Sequence, residues 1–404
     1  MQGVYLLSAV RTPIGKFGGS LASLTAADMG VVAAKAAMER AGVQASQIEE
    51  TIFGNARQAG GGPNVARQIS VRAGVPQEVP AYTVNKACAS GMKTIALAYQ
   101  AILLGESSCI LAGGTESMSR LPYYLDGARW GYRLGNQELV DGMYRDGFFC
   151  PLAKMVMGET AEVLAERYKI TRDEQDEFAL MSQTRAARAI AAGRFEGELA
   201  PVTIEGRSKG RSKEKKAGAT TFARDEHPFP DASMEKLGKL PPVFSKTGTI
   251  TAGNSSGITD GAAAVVVASE YFVKQNNLKP LARIAAVASA GVDPRTMGIG
   301  PVPALKKLDE KHGLRLHDFG LIELNEAFAA QVLACLKGFG VPFGDTRVNP
   351  NGGAIAVGHP LGASGARLAL TATRQLQAIK GRYALVSMCI GVGQGIAVIL
   401  ERMD

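Results

Sequence analysis

Strand-like and helix-like segments alternate at both ends of the chain, and this alternation limits the fold more than any other feature. Residues 4–10 form an apolar run typical of a buried strand. Thr25 predicts an N-cap for a helix over residues 26–41, and Gly42 predicts its C-terminal stop. Further elements follow in the same order: a strand at 51–55, a helix at 89–104 and a strand at 109–113. This pattern indicates an α/β fold.

The same alternation returns in the last third of the chain. A helix is expected from Glu326 and a longer one over residues 361–379. The predicted strands there are 262–268, 282–290, 321–324, 383–389 and 394–400. A weak repeat also links the two ends, because Ala89-Ser90-Gly91 and Ala363-Ser364-Gly365 each follow a Val-Asn pair and open a helix that leads to a strand. A duplicated α/β half would produce this repeat, and coincidence among abundant small residues is the alternative.

The middle of the chain, residues 119–249, differs from both ends. It carries most of the long polar stretches and a capping box at Thr171-Arg172-Asp173-Glu174. We expect this region to form an inserted loop or lid domain. The N-terminal half would then span residues 1–118 and be completed by residues 250–270, and the C-terminal half would span residues 271–404.

Composition argues against several classes of protein. The 404 residues are 46% apolar and 20% charged, which is typical of globular chains. Apolar runs such as residues 262–268 are short, so we expect no membrane-spanning helix, and the N-terminus has no pattern of a secretory signal. Five widely spaced Cys form neither a disulfide framework nor a Cys-x-x-Cys zinc pattern. We therefore expect no metal site and a reducing, cytoplasmic location.

The strongest charge cluster is the segment 207–216, which has six basic residues and one acid, in a chain of net charge +8. A solvated loop, a site for the phosphates of an anionic ligand and a nucleic-acid surface are the possible interpretations. No aromatic residues alternate with these charges and no nucleic-acid-binding motif is present, so we expect no nucleic-acid partner.

Cys88 is the first candidate for catalysis. It lies directly before a predicted helix, where unpaired N–H groups favour a thiolate and lower the pKa of a thiol. Its neighbours Ala87, Ala89 and Gly91 are small, which indicates access for another molecule. A buried, apolar Cys is the alternative interpretation.

His359 is the best candidate for a general base. The chain has four His, and His227, His312 and His317 lie in polar segments that predict surface positions. His359 lies between a Gly and a Pro in a glycine-rich apolar loop, which can fix an imidazole ring. A core His with satisfied hydrogen bonds and a phosphate-binding loop are the alternatives.

Two predicted strand ends supply further candidates. Cys389 ends a strand and is followed by Gly391, Gly393 and Gly395, whose N–H groups can approach a ligand oxygen closely. A buried Cys before a glycine hairpin is an equal alternative. Asn325 falls where a strand passes into a helix, which is typical of an N-cap and also of ligand-binding positions in α/β sheets.

Taken together, these segments resemble the thiolase family of acyl-CoA acyltransferases over nearly the whole chain. The resemblance rests on the ordered set of Cys88, Asn325-Glu326-Ala327-Phe328, Gly358-His359-Pro360 and Cys389-Ile390-Gly391. Shorter matches occur at residues 10–15, 113–118, 251–257 and 260–263. The resemblance implies two similar, five-strand-cored α/β halves in an αβαβα sandwich, with the loop domain covering CoA.

The resemblance also implies a mechanism. Cys88 would attack the acyl carbonyl of a thioester, and His359 would take its proton. Cys389 would move the proton at C2 of the second acyl-CoA, as base in condensation and as acid in thiolysis. His359 and a water held by Asn325 would stabilise the enolate oxygen, and the N–H groups of Cys88 and Gly391 would stabilise the oxyanion at the acylated thiol.

The same resemblance implies what is bound. CoA and acyl-CoA thioesters would be substrates, with no metal or redox cofactor, and the assembly would be a homodimer or homotetramer. The residues expected to face the pantetheine and acyl groups are Phe244, Ala252, Ser256, Met157, Met297, Ala327 and Phe328.

One departure from the family pattern leaves the acyl chain length open. Short-chain biosynthetic thiolases usually carry His-Met-Gly where this chain has Val156-Met157-Gly158, and residues 391–395 are more similar to degradative relatives. The segment 86–92 resembles acetyl-CoA acetyltransferases. We favour an acetyl-CoA C-acetyltransferase that joins two acetyl-CoA into acetoacetyl-CoA and CoA, or runs in reverse. A broader 3-ketoacyl-CoA thiolase of fatty-acid or aromatic catabolism is the alternative.

Two other classes are less well supported. A related ketoacyl synthase would need two catalytic His, and this chain has one in a suitable context together with Cys389. A duplicated α/β protein that only binds CoA or lipid would not need both Cys88 and Cys389.

Overall fold

The computed structural model describes residues 2–205 and 218–403, so the basic segment 207–216 lies outside the described residues. The strands are β1 (Val4–Arg11), β2 (Gly15–Lys16), β3 (Glu50–Gly54), β4 (Ala81–Val84), β5 (Cys109–Ser117), β6 (Tyr123–Tyr124), β7 (Val140–Asp141), β8 (Phe149–Cys150), β9 (Met155–Val156), β10 (Val202–Ile204), β11 (Thr220–Phe222), β12 (Thr259–Ser269), β13 (Ala282–Gly291), β14 (Phe319–Leu324), β15 (Tyr383–Ile390) and β16 (Gln394–Arg402). The α-helices are α1 (Ala26–Ala41), α2 (Val65–Ala73), α3 (Ser90–Leu104), α4 (Met157–Tyr168), α5 (Arg172–Ala191), α6 (Met234–Gly238), α7 (Glu270–Gln275), α8 (Pro301–His312), α9 (Ala329–Phe339), α10 (Ala354–Val357) and α11 (Leu361–Ile379).

The main sheet has two parts. The N-terminal part has the strand order β4-β3-β5-β12-β1, with β2 paired to β12, and the C-terminal part has the order β13-β16-β15-β14. Only a short antiparallel pairing, Tyr5 with Arg283 and Leu6 with Ala282, joins β1 to β13. β3 runs parallel to β4 and β5, and β14 runs parallel to β15. The two ends of the chain therefore build two separate half-sheets.

Helices α3 and α11 lie between the half-sheets. A central core combines apolar residues of both helices with the inward faces of both half-sheets. A second core packs α1 and α2 on the outer face of the N-terminal half, and a third packs α4, α8 and α9 on the outer face of the C-terminal half. Layers in the order helix, sheet, helix, sheet, helix confirm the expected αβαβα sandwich.

Strand β12 shows why the sheet can be covered on both faces. Alternate residues such as Val265 and Val267 belong to the central core, and Val266 and Ala268 belong to the outer core. Successive side chains of a strand point to opposite faces, so a continuous apolar run fits only a strand buried on both sides.

The predicted helix caps are confirmed. The Thr25 hydroxyl accepts a hydrogen bond from the N–H of Asp28 at 3.1 Å, and Gly42 ends α1 with a left-handed φ of 66°. Thr171 caps α5 in the same way, with Glu174 bonding back to the N–H of Thr171. Each cap satisfies N–H groups that the first turn of a helix leaves unpaired.

The expected helix from Glu326 begins later. Helix α9 starts at Ala329 with Phe328 as its N-cap, so Asn325 is not an N-cap. The carboxylate of Glu326 is buried and accepts hydrogen bonds from the Ser182 hydroxyl at 2.6 Å and the N–H of Ile355 at 3.1 Å. These bonds hold the chain in a non-helical path after β14.

The C-terminal half-sheet has four strands instead of five. In place of a fifth strand, Val348 makes one isolated parallel bridge to Ile322. The next residue, Asn349, has a φ of 44°, and Pro350 has no N–H to donate. A ladder cannot continue through these two residues.

The expectation that no segment is long and apolar enough to cross a membrane was wrong by length and composition. The window Ala87–Leu104, which includes α3, has 18 residues and a mean hydropathy of 1.3, and half of it is buried inside the fold. Helix α3 packs in the central core against α11 and both half-sheets. An interior helix surrounded by protein is apolar for the same reason as a membrane helix.

Candidate active site

Cys88 lies in a strained turn between β4 and α3. Ala87 has a φ of 46°, in the left-handed region that a side chain disfavours. The turn is held by side chains: Asn85 accepts from the N–H of Ala87 at 3.0 Å, and the Ser90 hydroxyl accepts from the N–H of Lys86 at 2.9 Å and donates to the carbonyl of Ala87 at 2.7 Å. Strain fixed in this way keeps one residue in a defined direction.

The expected low pKa of Cys88 was wrong. Burial raises the pKa of its thiol, and this outweighs the N–H groups of Gly391 and Cys88 and the positive charge of Arg57, which all lower the pKa. The thiol is therefore protonated at rest and needs a base before it can attack. The N–H groups that face the sulfur are also donors for an oxygen formed on a group attached there.

Cys389 and Gly391 lie at the turn between β15 and β16. Cys389 is 1% exposed, and the pKa of its thiol is raised well above its usual value by burial and by the neighbouring Cys88 and Cys335. Beyond Gly391 the turn passes through Val392 with a φ of 71°. The C-terminal half thus brings a second protonated thiol close to Cys88.

His359 is 4% exposed and its hydrogen bonds define its tautomer. Its Nδ1 lies 2.6 Å from the Ser364 hydroxyl, which donates its own hydrogen to the carbonyl of Pro360 at 2.9 Å. The hydroxyl can therefore only accept from the ring, so the ring hydrogen is on Nδ1. Nε2 therefore carries no hydrogen, and its lone pair has only a long contact of 3.4 Å with the amide nitrogen of Asn325.

The imidazole of His359 is neutral at physiological pH. Burial lowers its pKa to about 3, and the positive charges of Arg367 and Arg57 act in the same direction. A neutral ring with a free Nε2 can accept a proton from a thiol, and the resulting cation is unstable in this position. Proton uptake at His359 is thus short-lived.

Asn325 joins His359 at the end of β14. Its Nδ2 lies 3.4 Å from Nε2 of His359, and its N–H donates to the carbonyl of Ser387 on β15 at 3.0 Å. Its Oδ1 is buried without a hydrogen-bond partner among the described residues. Buried amide oxygens are normally paired, so this oxygen is positioned to accept from a group outside the protein chain.

Most of the residues expected to bind substrate share one cluster beside Cys389. Phe244 and Phe328 form an edge-to-face pair with ring centres 6.1 Å apart, and Ser256 donates its N–H to the carbonyl of Ala327 at 3.0 Å. Met297 belongs to the same core, with Met157 packed against it. Met157 also closes on Gly391, where an added Cβ would lie 3.3 Å from its sulfur.

Ala252 and the remaining His residues are placed differently. Ala252 is exposed on the loop between Thr251 and Ser256. His312 and His317 are exposed, as expected. His227 is half-buried, against expectation, because its Nδ1 bonds to the carbonyl of Ala356 at 2.9 Å.

A small apolar cluster covers the other side of Cys88. It comprises Ala56, Met118, Met143 and Leu361, with Leu121, Phe148, Ile258 and Cys88 packed against it. We call these residues the acyl-side cluster. Three of them come from residues 119–249, so this part of the chain forms part of the wall beside the thiol.

Two residues that hold the site were missed in the sequence. Ser364 sets the tautomer of His359, and its place in the repeated Ala-Ser-Gly was the available signal. Glu116 accepts hydrogen bonds from the N–H groups of Ala56 at 3.0 Å and Gly362 at 2.8 Å. It also accepts from the Asn55 amide at 2.7 Å and the N–H of Arg57 at 3.0 Å. Glu116 therefore ties the start of α11 to the N-terminal half.

The arrangement is suited to acyl transfer through a thiol. Two protonated thiols and two backbone N–H groups meet where the halves join, and a neutral imidazole lies beside Asn325 at the end of β14. A protonated thiol beside a neutral base becomes a nucleophile by a short proton transfer, and N–H groups at the sulfur can stabilise the oxygen of a tetrahedral intermediate.

Comparison with known families covers nearly the whole chain. The model of the thiolase N-terminal domain matches residues 4–271, and the model of the thiolase C-terminal domain matches residues 278–402. The acetyl-CoA acetyltransferase of Escherichia coli (strain K12) is 49% identical over 405 residues, with 100% of each chain covered. The beta-ketoadipyl-CoA thiolase of Pseudomonas knackmussii is also 49% identical, over 407 residues and 99% of each chain.

Solved structures agree with the sequence comparison. The human mitochondrial 3-ketoacyl-CoA thiolase in complex with CoA is 43% identical, with a TM-score of 0.93 over 100% of this chain and 98% of that one. Two family models in the expected order, full-length relatives and the same fold lead to one conclusion: the chain belongs to the thiolase family.

Proposed function

We propose that the protein is an acyl-CoA:acetyl-CoA acyltransferase that works through an acyl group on Cys88. The reaction is the condensation of two acetyl-CoA to acetoacetyl-CoA and CoA, and its thiolytic reverse. The observation that carries the proposal is the meeting of Cys88 from one half with Cys389 and Gly391 from the other.

In the first step, Cys88 takes the acyl group. Nε2 of His359 accepts the thiol proton, the sulfur attacks the thioester carbonyl, and the bond from the carbonyl carbon to the CoA sulfur breaks. The N–H groups of Cys88 and Gly391 stabilise the oxyanion. The proton on His359 passes to the leaving CoA thiolate, which the low pKa of the imidazole favours.

In the second step, the proton of the Cys389 thiol passes to Nε2 of His359, and the Cys389 thiolate removes a proton from C2 of acetyl-CoA. The new carbanion attacks the acyl group on Cys88, and the Cys88 sulfur leaves with the proton held by His359. The enolate oxygen is stabilised by His359 and by a water held by Asn325, whose unpaired Oδ1 supports this role. In thiolysis, Cys389 returns the proton to C2. The raised pKa of Cys389 suits a base that works on a weakly acidic carbon.

The cluster of Phe244, Ser256, Met297, Ala327 and Phe328 supports a path for the pantetheine beside Cys389, with Met157 near the acyl group and Ala252 at the exposed entrance. The human relative was solved with CoA. Thioester chemistry at a thiol needs no resident metal or redox cofactor in this proposal, because the thioester is both electrophile and leaving group.

We further propose a homodimer or homotetramer in a reducing cytoplasm. Strand β4 is an edge of the sheet, and edge strands are commonly covered by a partner. Large apolar side chains in residues 123–152 are exposed, Trp130 to 86% and Leu134 to 93%. The five Cys are free thiols, which suits a reducing compartment.

CoA-dependent cleavage of a panel of 3-ketoacyl-CoA, from acetoacetyl-CoA to long chains, tests the function. Cleavage confined to acetoacetyl-CoA would establish a short-chain acetyltransferase. Cleavage across longer chains would establish the alternative, a degradative 3-ketoacyl-CoA thiolase, which the names of the relatives support equally. No cleavage by folded protein with reduced thiols would overturn the proposal.

A further inference from the structure

The two curated relatives differ in the charge of the acyl group that their names imply. An acetyl group is neutral, and a beta-ketoadipyl group ends in a carboxylate. Both relatives are 49% identical to this chain, so identity does not choose between them. A cation beside Cys88 would indicate the acyl group that ends in a carboxylate, because burying a carboxylate without a cation is costly.

Arg57 is such a group. It follows β3 and reaches along the acyl-side cluster to the 144–148 turn, where its guanidinium donates to the carbonyl of Gly147 at 2.7 Å. Ala56, which precedes Arg57, and Phe148, which follows Gly147, both belong to the acyl-side cluster that packs on Cys88. Gly147 allows this approach, since a Cβ there would lie 2.8 Å from Nε of Arg57.

Arg57 also has unused binding capacity. Its Nε is buried without a hydrogen-bond partner, and its other bonds go to backbone carbonyls, at Gly147 and at Ala56. Within residues 2–205 and 218–403, no carboxylate forms an ion pair with it. The nearby carboxylate of Glu116 is occupied by four N–H donors.

We propose that Arg57 receives the distal carboxylate of a dicarboxylic acyl group held on Cys88, so that the preferred substrate is a short 3-oxo-dicarboxylyl-CoA. This inference rests on the proposed function. The guanidinium presents a fork of N–H donors that matches a carboxylate. The apolar cluster between Arg57 and Cys88 would hold the methylene groups.

The chemistry is that of the proposed thiolysis. With 3-oxoadipyl-CoA, His359 takes the proton of the Cys88 thiol and the sulfur bonds to C3. The C2–C3 bond then breaks, and C2 takes the proton of Cys389 to leave as acetyl-CoA. The succinyl group then remains on Cys88 with its carboxylate at Arg57. The thiol of a second CoA gives its proton to the Cys389 thiolate and attacks the succinyl carbonyl. The Cys88 sulfur leaves, takes back the proton held by His359, and succinyl-CoA is released.

The test compares kcat/KM for cleavage of 3-oxoadipyl-CoA and 3-oxohexanoyl-CoA, which share six acyl carbons and differ in the terminal carboxylate. The wild type should prefer 3-oxoadipyl-CoA. Arg57→Met should lower that preference by about ten- to a hundred-fold, the effect of one charge-assisted hydrogen-bonded pair. The ratio cancels any general slowing from the loss of a positive charge near the Cys88 thiol.

Two further variants control the result. Arg57→Lys keeps the charge and should restore part of the preference. Arg120→Met removes an exposed Arg that lines a small cavity together with Arg57, and it should leave the preference unchanged. As a readout besides turnover, intact mass after incubation with succinyl-CoA or butyryl-CoA should show more succinyl than butyryl adduct in wild type, and no such excess in Arg57→Met.

The outcomes separate this inference from the proposed function. Cleavage of acetoacetyl-CoA with no preference for the dicarboxylic substrate would overturn the inference and leave the function standing. An equal loss on both six-carbon substrates in Arg57→Met would also overturn it, since Arg57 would then act only on the thiol. No cleavage of any substrate would overturn both.

Discussion

The parallel strands of the two halves end in the same arrangement, but different side chains occupy the space at their ends. Strand β3 pairs with β5 so that Gly54 lies opposite Gly114, and β14 pairs with β15 so that Leu324 lies opposite Ser387. Asn55 follows the first strand and Asn325 the second. Glu116 lies two residues after Gly114, and Cys389 lies two residues after Ser387.

At each of these strand ends, the start of a helix from the opposite half packs against the strands. Cys88, before α3, meets the end with Asn325 and Cys389, which we call the thiol end. Gly362, near the start of α11, meets the end with Asn55 and Glu116, which we call the carboxylate end. At the carboxylate end, N–H groups are occupied by Glu116; at the thiol end, they face the sulfur of Cys88. One backbone arrangement thus serves as a clamp in one half and as a site in the other.

The largest expected effect is at the thiol end. Cys88→Ser should keep the fold and lose acyl-enzyme formation, with a fall in turnover of roughly a thousand-fold or more, because a hydroxyl is a far weaker nucleophile at neutral pH. Intact mass after incubation with acetyl-CoA measures the adduct. Near wild-type condensation by this variant would show that Cys88 is not the acylated residue.

Cys389→Ser should separate the two steps. The variant should still form the acyl group on Cys88 and lose C–C bond formation and cleavage, since a serine hydroxyl is a poor base for a carbon acid. The pair of readouts is adduct mass and acetoacetyl-CoA turnover. If the Cys389 variant loses the adduct as completely as the Cys88 variant, the assigned roles are wrong.

At the carboxylate end the main effect should be on stability. Glu116→Ala leaves the buried N–H groups of Ala56, Arg57 and Gly362 without their acceptor, at about 1–3 kcal/mol for each unpaired group. We expect a clear fall in thermal stability and a smaller fall with the isosteric Glu116→Gln. Unchanged stability with lost activity would show that Glu116 takes part in the chemistry and would end the comparison.

The smallest effect is an opposite pH response of the two ends. The pKa of His359 is lowered from 6.5 to about 3, so its contribution to stability is present above 6.5 and lost as pH falls toward 3, by up to about 1.4 kcal/mol per pH unit. The pKa of Glu116 is raised by burial, so its contribution is present below 4.5 and lost as pH rises through its native value. Unfolding free energies of wild type, His359→Asn and Glu116→Gln from pH 4 to 8 measure both. Parallel curves for all three proteins would contradict the assignment.

Local signals in the sequence predicted the α/β fold and nominated the candidate site residues, and the resemblance to the family implied the five layers. Thr25, Thr171 and the alternating glycines act over a few residues, and the buried strand runs have one fold-level interpretation. The pKa of Cys88 could not be predicted in this way, because it depends on burial by residues far away in sequence. Likewise, the N-cap assigned to Asn325 failed because the tertiary contacts of Glu326 determine where α9 begins.

The hydrogen bonds of Glu116 and the position of Arg57 also could not be predicted from neighbouring residues in the sequence. Glu116 acts on Gly362, 246 residues away in sequence. The environment of Arg57 is formed only when residues 144–148 fold over it. The repeated Ala-Ser-Gly segments indicated a duplicated half, but they did not predict which residues of the two halves come into contact.

The position of α3 in the central layer has a consequence for synthesis. This apolar helix is complete by residue 104, but its partner α11 spans Leu361–Ile379 and is synthesised more than 250 residues later. At the usual 5–20 residues per second, the gap of more than 250 residues leaves one face of α3 uncovered for roughly ten seconds or longer. Until the C-terminal half is synthesised, a nascent chain of this protein therefore exposes an apolar helix, and aggregation competes with folding.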